Sequence, residues 1–220
     1  SLEARVGIDL GDGPEMELVD PERYEFSELP TILRKFDSGN LADGLDRPSD
    51  VVCKEVTLRV PKRKSDRRHD QFEHSAQLLV TRSDTDVDEF QNTFSLIRGS
   101  EMVVESVSFP AGDAPYHALV IAGRAMNPAA PDDQAGLADD FLRFAEPPSH
   151  DTWFARPGKP QLNLATHYQP PFKPNLAAFE SSIKKALREL LAPGEDEPEP
   201  VPRALLHKDF NLLQSGSTSG

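Results

Sequence analysis

A group of basic side chains is the part of this sequence best suited to chemistry. Six cations stand within ten residues, in a chain with 24 Lys and Arg in all: Arg59, Lys62, Arg63, Lys64, Arg67 and Arg68. The last four are predicted to contact phosphate, because a basic loop can neutralise a nucleic-acid backbone. No aromatic residue is interleaved for base stacking, and Asp66 and Asp70 dilute the charge. A solvated loop, or one paired with the chain's own acidic surface, is the competing interpretation, and duplex DNA binding at low salt would distinguish the two.

The other reactive side chains do not form a recognisable site. Asp9, Gly11 and Gly13 make a D-x-G-x-G pattern that could approach a phosphate, but Pro14 follows, and the turn of a hairpin is the favoured interpretation. The six histidines are His69, His74, His117, His150, His167 and His207. No two of them are four residues apart, so their spacing predicts no zinc site. No serine lies in a nucleophile-elbow motif, and we therefore expect no catalytic residue, metal ion or cofactor in this chain.

A second candidate site is the segment EPPSHDTWF, residues 146–154. Its tandem prolines and small polar residues predict a rigid corner, in which Trp153 covers an edge of the core. The alternative is a recognition surface made by Glu146, His150, Asp151 and Trp153.

Composition limits the expected partners and compartment. The formal net charge of -13 repels nucleic acid and anionic membranes on average, so such a partner would need a local basic patch. Cys53 is the only cysteine, which favours a reducing compartment. The sequence shows neither a signal peptide nor a stretch of about 18 apolar residues, which predicts a soluble, cytoplasmic protein without membrane contact. Because the chain begins at Ser1 rather than at methionine, we interpret it as a piece of a larger protein.

Four segments have the composition of β-strands. Residues 51–60 alternate apolar and polar positions, and Pro61 ends the run. Residues 74–82, 101–109 and 116–124 are further apolar runs, and the last two are joined by a predicted turn.

Three segments have the periodicity of helices. Residues 84–99 are predicted to be helical because Thr85 and Asp88 make a capping box, and because Phe90, Phe94 and Ile97 share one face. A second helix is predicted to begin at Asp132 and Asp133 and to end before Pro147.

The third helix is predicted to begin at the cap Asn175 and to stop at Pro193. Its apolar stripe consists of Leu176, Phe179, Ile183, Leu187 and Leu190.

The order of these elements predicts an α+β fold. We expect a mostly antiparallel sheet of four or more strands, covered by two or three helices, with extended proline-rich arms. The predicted regions are a hairpin and extended arm at 1–50, an α+β core domain at 51–191, and an acidic linker with a flexible tail at 192–220.

Two stretches resemble a known family. NTFSLIRGSEMVVESVSF with YHALVIAGRA, and then FAEPPSHDTW, are similar to the region beyond the ATPase domain in some bacterial GHKL-type (gyrase and histidine-kinase-like) proteins. The likeness covers about 70 residues, from Asn92 to Trp153 with short flanks. It rests on an R-G-x-x-M-V-V strand and an E-P-P-x-H-D-x-W corner.

The resemblance implies a transducer-like region that couples nucleotide state to movement or dimerisation. It also implies a basic residue that contacts phosphate, for which Arg98 is the matching position, since an arginine can bind phosphate bidentately. The alternative for Arg98 is a favourable charge at a helix C-terminus. The sequence departs from the family because it has neither the catalytic acid with its metal-binding asparagine helix nor a convincing second glycine-rich lid. ATP hydrolysis by this chain alone is therefore not expected.

The predicted function is a non-catalytic coupling or partner-binding module of a larger bacterial protein. Its partner is expected to be an upstream domain of the same protein, or another protein. The alternative is a nucleic-acid-binding module that uses the basic loop 59–68, and a stand-alone hydrolase or metal enzyme is the least favoured hypothesis.

Overall fold

The computed structural model describes residues 4–9, 14–19, 28–65, 69–83, 91–99, 102–126, 132–158 and 164–192. Near the N-terminus, β1 (Ala4–Asp9) and β2 (Pro14–Val19) pair antiparallel, which confirms the predicted hairpin. Gly11 and Gly13 of the D-x-G-x-G pattern lie outside the described residues.

Five further strands form one mixed sheet. They are β3 (Val51–Val60), β4 (Phe72–Arg82), β5 (Thr93–Arg98), β6 (Met102–Ser108) and β7 (Tyr116–Ile121), and their order in the sheet is β3-β4-β7-β5-β6. All neighbours are antiparallel except β5 and β7, which run parallel. The predicted α+β class with a mostly antiparallel sheet is confirmed.

Helices cover both faces of this sheet. The helices are α1 (Glu28–Asp37), α2 (Asp133–Ala145), the short α3 (Leu164–His167) and α4 (Phe172–Leu191), with a 3-10 turn at Gly123–Met126. Alternation along β3 sends Val56, Leu58 and Val60 into the core shared with α2 and α4, whereas Val51 faces the core under α1. β7 is buried at every position, as expected of a central strand covered on both sides. No helix in the described part of the chain is long and apolar enough to cross a membrane.

The predicted helix at 84–99 is wrong where the structure describes it. Residues 93–98 form β5, and residues 84–90, with the capping box and Phe90, lie outside the described residues. The sequence TFSLIR is rich in aromatic and β-branched residues, and it is paired on both sides, with β6 and with β7. As a strand it buries Phe94 and Leu96 on one face and Ile97 on the other, so tertiary pairing overrides the helical spacing.

Two smaller expectations also need correction. Residues 28–37 of the predicted extended arm form α1, in which Pro30 occupies the first turn, where proline is tolerated. α4 begins at Phe172, three residues before the predicted cap. The Asn175 amide instead donates to the carbonyl oxygen of Arg59 at 3.1 Å.

Candidate recognition site around Glu146

The carboxylate of Glu146 is the centre of a polar cluster built from distant parts of the sequence. Its side chain is completely buried at the C-terminal cap of α2. Arg98, only 11% exposed, binds it with two nitrogens: Nη2 lies 2.8 Å from Oε2, and Nε donates to Oε1. Trp153 Nε1 donates to Oε1 at 3.2 Å, and His150 Nδ1 lies 2.9 Å from Oε2. Both carboxylate oxygens are therefore held by donors, as a buried charge requires.

The corner after α2 folds back so that its side chains reach Glu146. Two prolines end the helix, and the His150 N–H donates to the Pro147 carbonyl at 2.9 Å, which closes a turn. His150 adopts a left-handed backbone with φ of 53°, and its side chain is 66% exposed. Asp151 lies on the same turn and accepts a hydrogen bond from Ser149 Oγ at 2.7 Å. The corner thus has a buried side, Glu146 and Trp153, an exposed His150 and a half-buried Asp151.

Arg98 is aimed at Glu146 by the end of β5. The pairing register with β6 shifts between Leu96 and Ile97, and such irregularities redirect the neighbouring side chains. Gly99 then turns with φ of 61°, and its N–H donates to Oδ1 of the buried Asp139 at 2.9 Å. α2 therefore fixes the end of β5 in two places, through Asp139 and through Glu146.

Asp139 is itself packed against a tight turn that His74 stabilises. Gly123 has φ of 64°, and a Cβ at this position would lie 2.9 Å from atoms of Asp139. The Gly123 N–H donates to Nε2 of the buried His74 at 3.0 Å, which places the proton of the neutral ring on Nδ1. Burial lowers the pKa of His74, and the charge of Asp132 opposes this effect.

His74 should make the stability of the fold depend on pH. Because its folded-state pKa lies below the ordinary 6.5, the unfolded chain takes up the proton first as pH falls. The stabilisation is complete above about pH 6.5 and is lost below it. His74→Gln keeps an acceptor for the Gly123 N–H but does not titrate. Urea unfolding should show that the free energy of unfolding falls less between about pH 7 and 5 in this variant than in the wild type. An equal fall in both proteins would contradict the prediction.

The rest of the corner connects the sheet edge to α4. Thr152 Oγ1 and Arg156 Nε both donate to Glu105 of β6, at 2.6 and 3.2 Å. Arg156 Nη1 also contacts Glu180 of α4 at 3.1 Å, and Lys184 contacts the same carboxylate at 2.8 Å. We call residues 146–156 the corner segment. The Glu180–Lys184 pair has the i,i+4 spacing of a helical ion pair, whereas Glu105 and Arg156 carry no local signal in the sequence and were missed.

The described part of the basic loop is engaged within the chain. Arg63 pairs with Asp140 at 3.1 Å and lies over the Phe144 ring, and Lys64 donates to the Ala165 carbonyl at 2.5 Å. The neighbouring contacts are Lys62 with Asp70 at 2.5 Å and Arg59 with Glu73 at 3.0 Å. Arg67 and Arg68 lie outside the described residues. These pairs favour the interpretation of a loop matched to the chain's own acidic groups, and nucleic-acid binding stays a prediction.

The structure brings together four of the predicted site residues, Arg98, Glu146, His150 and Trp153. It places Arg63 and Lys64 in a separate cluster near α3. Trp153 is fully buried, as expected for a residue covering the core. Phosphate binding by Arg98 stays a prediction, and an external phosphate would compete with Glu146 for the same guanidinium.

A surface cavity of about 340 Å³ lies between the ends of β3 and β4 and the start of α4. Its ionisable lining residues are Arg59 and Glu73, which pair with each other. Among the described residues, no three His, Cys, Asp or Glu side chains are grouped so that they could hold a metal ion. No protein-family model, no curated protein and no solved structure matches the chain.

Proposed function

We propose that this chain is a non-catalytic coupling or partner-binding module, of the kind that follows the nucleotide pocket in bacterial GHKL-type ATPases. The observation that carries the proposal is the set of charged contacts made by the corner segment. It binds β5 through Arg98, β6 through Glu105 and α4 through Glu180. Because one segment forms ion pairs with three elements, a displacement of any one of these elements would be transmitted through the segment to the other two.

The Arg98–Glu146 pair joins the two stretches on which the family resemblance rests. Arg98 opens the R-G-x-x-M-V-V stretch, and Glu146 opens the E-P-P-x-H-D-x-W corner, 48 residues later. The two stretches meet in a bidentate, buried ion pair. Side chains with this geometry fix the relative position of the elements that carry them.

The hydrogen bonds to both carboxylate oxygens of Glu146 favour an anchoring role for this residue over an acid–base role. A general base needs a free lone pair within reach of a substrate proton, at about 2.6–3.2 Å. Both Glu146 oxygens already accept hydrogen bonds, and the side chain has no exposed surface. This cluster therefore suits mechanical coupling better than proton transfer.

The coding sequence upstream of residue 1 provides the first test. We expect it to encode a GHKL-type nucleotide pocket, with the catalytic acid and the metal-binding asparagine helix that residues 1–220 lack. An upstream sequence without such a pocket would remove the ATPase part of the proposal.

Hydrogen–deuterium exchange in the parent protein provides the second test. Addition of ATP and Mg²⁺ should change exchange in the corner segment and in α4. Arg156→Gln breaks the contacts to Glu105 and Glu180 but leaves Glu146 intact, so it should keep the response in the corner segment and weaken it in α4. Glu55→Gln, at an exposed position of β3, is the control and should behave as the wild type. An α4 response unchanged by Arg156→Gln would contradict coupling through this segment.

A further inference from the structure

The cavity beside the start of α4 takes no part in the contacts of the corner segment. It has a volume of about 340 Å³ and lies where the ends of β3 and β4 meet α4. This volume is at the small end of the range of about 300–1,000 Å³ that is typical of small-molecule sites. The cavity therefore suits a small ligand.

The walls of the cavity combine an apolar surface with two opposite charges. The apolar part consists of Val60, Phe72 and Pro171, and the first two are partners in the pairing of β3 with β4. The next pair in the same register is Arg59 with Glu73, whose side chains are 69% and 61% exposed. Strand pairing thus places a cation and an anion together beside an apolar hollow.

The polar side chains of the cavity have hydrogen-bonding capacity that the fold does not use. Arg59 and Glu73 are joined through one atom of each, Nε and Oε1, at 3.0 Å. Within the described part of the chain, Arg59 Nη1 and Nη2 and Glu73 Oε2 make no hydrogen bond. Asn175 Nδ2 donates to the Arg59 carbonyl at 3.1 Å, while its Oδ1 accepts no hydrogen bond from another described residue. Two donor groups and two acceptor oxygens are therefore available to a ligand.

We propose that this cavity binds a free amino acid with an apolar side chain. The ligand carboxylate accepts hydrogen bonds from Arg59 Nη1 and Nη2, and the ligand ammonium donates to Glu73 Oε2. The apolar side chain of the ligand covers Val60, Phe72 and Pro171. The charge pair selects this class of ligand, because Glu73 opposes a phosphate or another anion and Arg59 opposes a cation. A zwitterion satisfies both charges.

A bound amino acid would join the sheet to α4, the helix that the corner segment contacts through Glu180. In making the amino acid a regulator of coupling, this inference rests on the proposed function. The binding itself does not.

The experiment titrates the isotope-labelled full chain with L-phenylalanine at neutral pH and low salt and follows the amide NMR signals. Saturable shifts are expected for residues 71–73 and for the side-chain amide of Asn175, with a Kd of about 1 mM or below. N-acetyl-L-phenylalanine lacks the ammonium group, and L-phenylalaninamide lacks the carboxylate. Each should bind about fivefold more weakly than L-phenylalanine, as expected for the loss of one exposed ion pair.

Two variants should exchange these preferences. Glu73→Gln leaves the cation of the pair, so it should bind N-acetyl-L-phenylalanine more tightly than L-phenylalaninamide. Arg59→Gln leaves the anion, and the order of the two derivatives should reverse. Both side chains are mostly exposed, so both variants should keep the fold. Glu55→Gln, at an exposed position of β3 outside the cavity lining, is the matched control and should bind L-phenylalanine as the wild type does.

Three results would overturn the amino-acid site. They are the absence of saturable shifts at about 20 mM L-phenylalanine, equal binding of the three ligands by the wild type, and shifts centred outside the cavity. Preferential binding of N-acetyl-L-phenylalanine by the wild type would also overturn it, in favour of a site for an anion. Saturable binding without any change of hydrogen exchange in the corner segment would support the site and contradict the regulatory role, so the two proposals fail separately.

Discussion

Glu146→Gln is expected to lower the free energy of unfolding by about 3 kcal/mol, the loss typical of breaking a buried ion pair from one side. The change keeps the size of the side chain but removes its charge, and Arg98 is left buried without compensation. One carboxylate oxygen also becomes an NH₂ group, which faces donors from Arg98, His150 or Trp153. Trp153 is the only tryptophan, so its fluorescence in urea reports on the unfolding of this region.

Two controls isolate the buried pair. Glu55→Gln makes the same chemical change on the exposed surface of β3, and we expect less than about 0.5 kcal/mol. Arg98→Met combined with Glu146→Leu removes both charges and should recover part of the loss. A loss below about 1 kcal/mol for Glu146→Gln would mean that the cluster does not anchor the corner segment.

Gly112→Ala is expected to destabilise the protein by about 3 kcal/mol, because it combines backbone strain with a steric overlap. Gly112 has φ of 79°, in the left-handed region. A Cβ there would overlap the carbonyl oxygen of Leu191, at the end of α4, and would lie 3.1 Å from the Leu191 Cβ. The loop between β6 and β7 can approach α4 this closely only without a side chain.

Gly158→Ala separates the two contributions. Gly158 has φ of 75°, but no atom of the described residues lies within 4 Å of the point that an alanine Cβ would occupy, so backbone strain is the expected cost. About 1 kcal/mol is expected for this variant. The difference in urea midpoints between the two alanine variants measures the packing of the loop against α4. Equal losses would show that the loop can move away from the helix.

Sequence patterns predicted correctly those elements whose residues fit only a helix or only a strand. The alternation of β3 and the apolar stripe of α4 fall at the predicted positions, since the core lies on one side of each. The prediction for the residues of β5 was wrong because TFSLIR fits both a helical and a strand pattern, and only pairing with β6 and β7 decides between them. α1 was not predicted although Leu29, Ile32, Leu33 and Phe36 have helical spacing, because a proline such as Pro30 is equally typical of a turn.

The candidate site shows the same limit. Arg98 and Glu146 were singled out separately, and no spacing rule predicts that residues 48 positions apart share an ion pair. The contacts of Arg156 with Glu105 and Glu180 depend on how the corner, β6 and α4 pack together. Such contacts follow from the assembled fold, and no segment of the sequence contains both partners.

The placement of β7 has a consequence for how the protein is made. Of the five strands in the sheet it leaves the ribosome last, yet it is inserted between β4 and β5, with a parallel partner on one side and an antiparallel partner on the other. Until Ile121 has been synthesised, the earlier strands can form only two separate pairs, β3 with β4 and β5 with β6. One edge of each pair, on β4 and on β5, remains unpaired until β7 is made. A ribosome that stalls before this point would present two incomplete half-sheets to chaperones, and the arrival of a single six-residue stretch joins them.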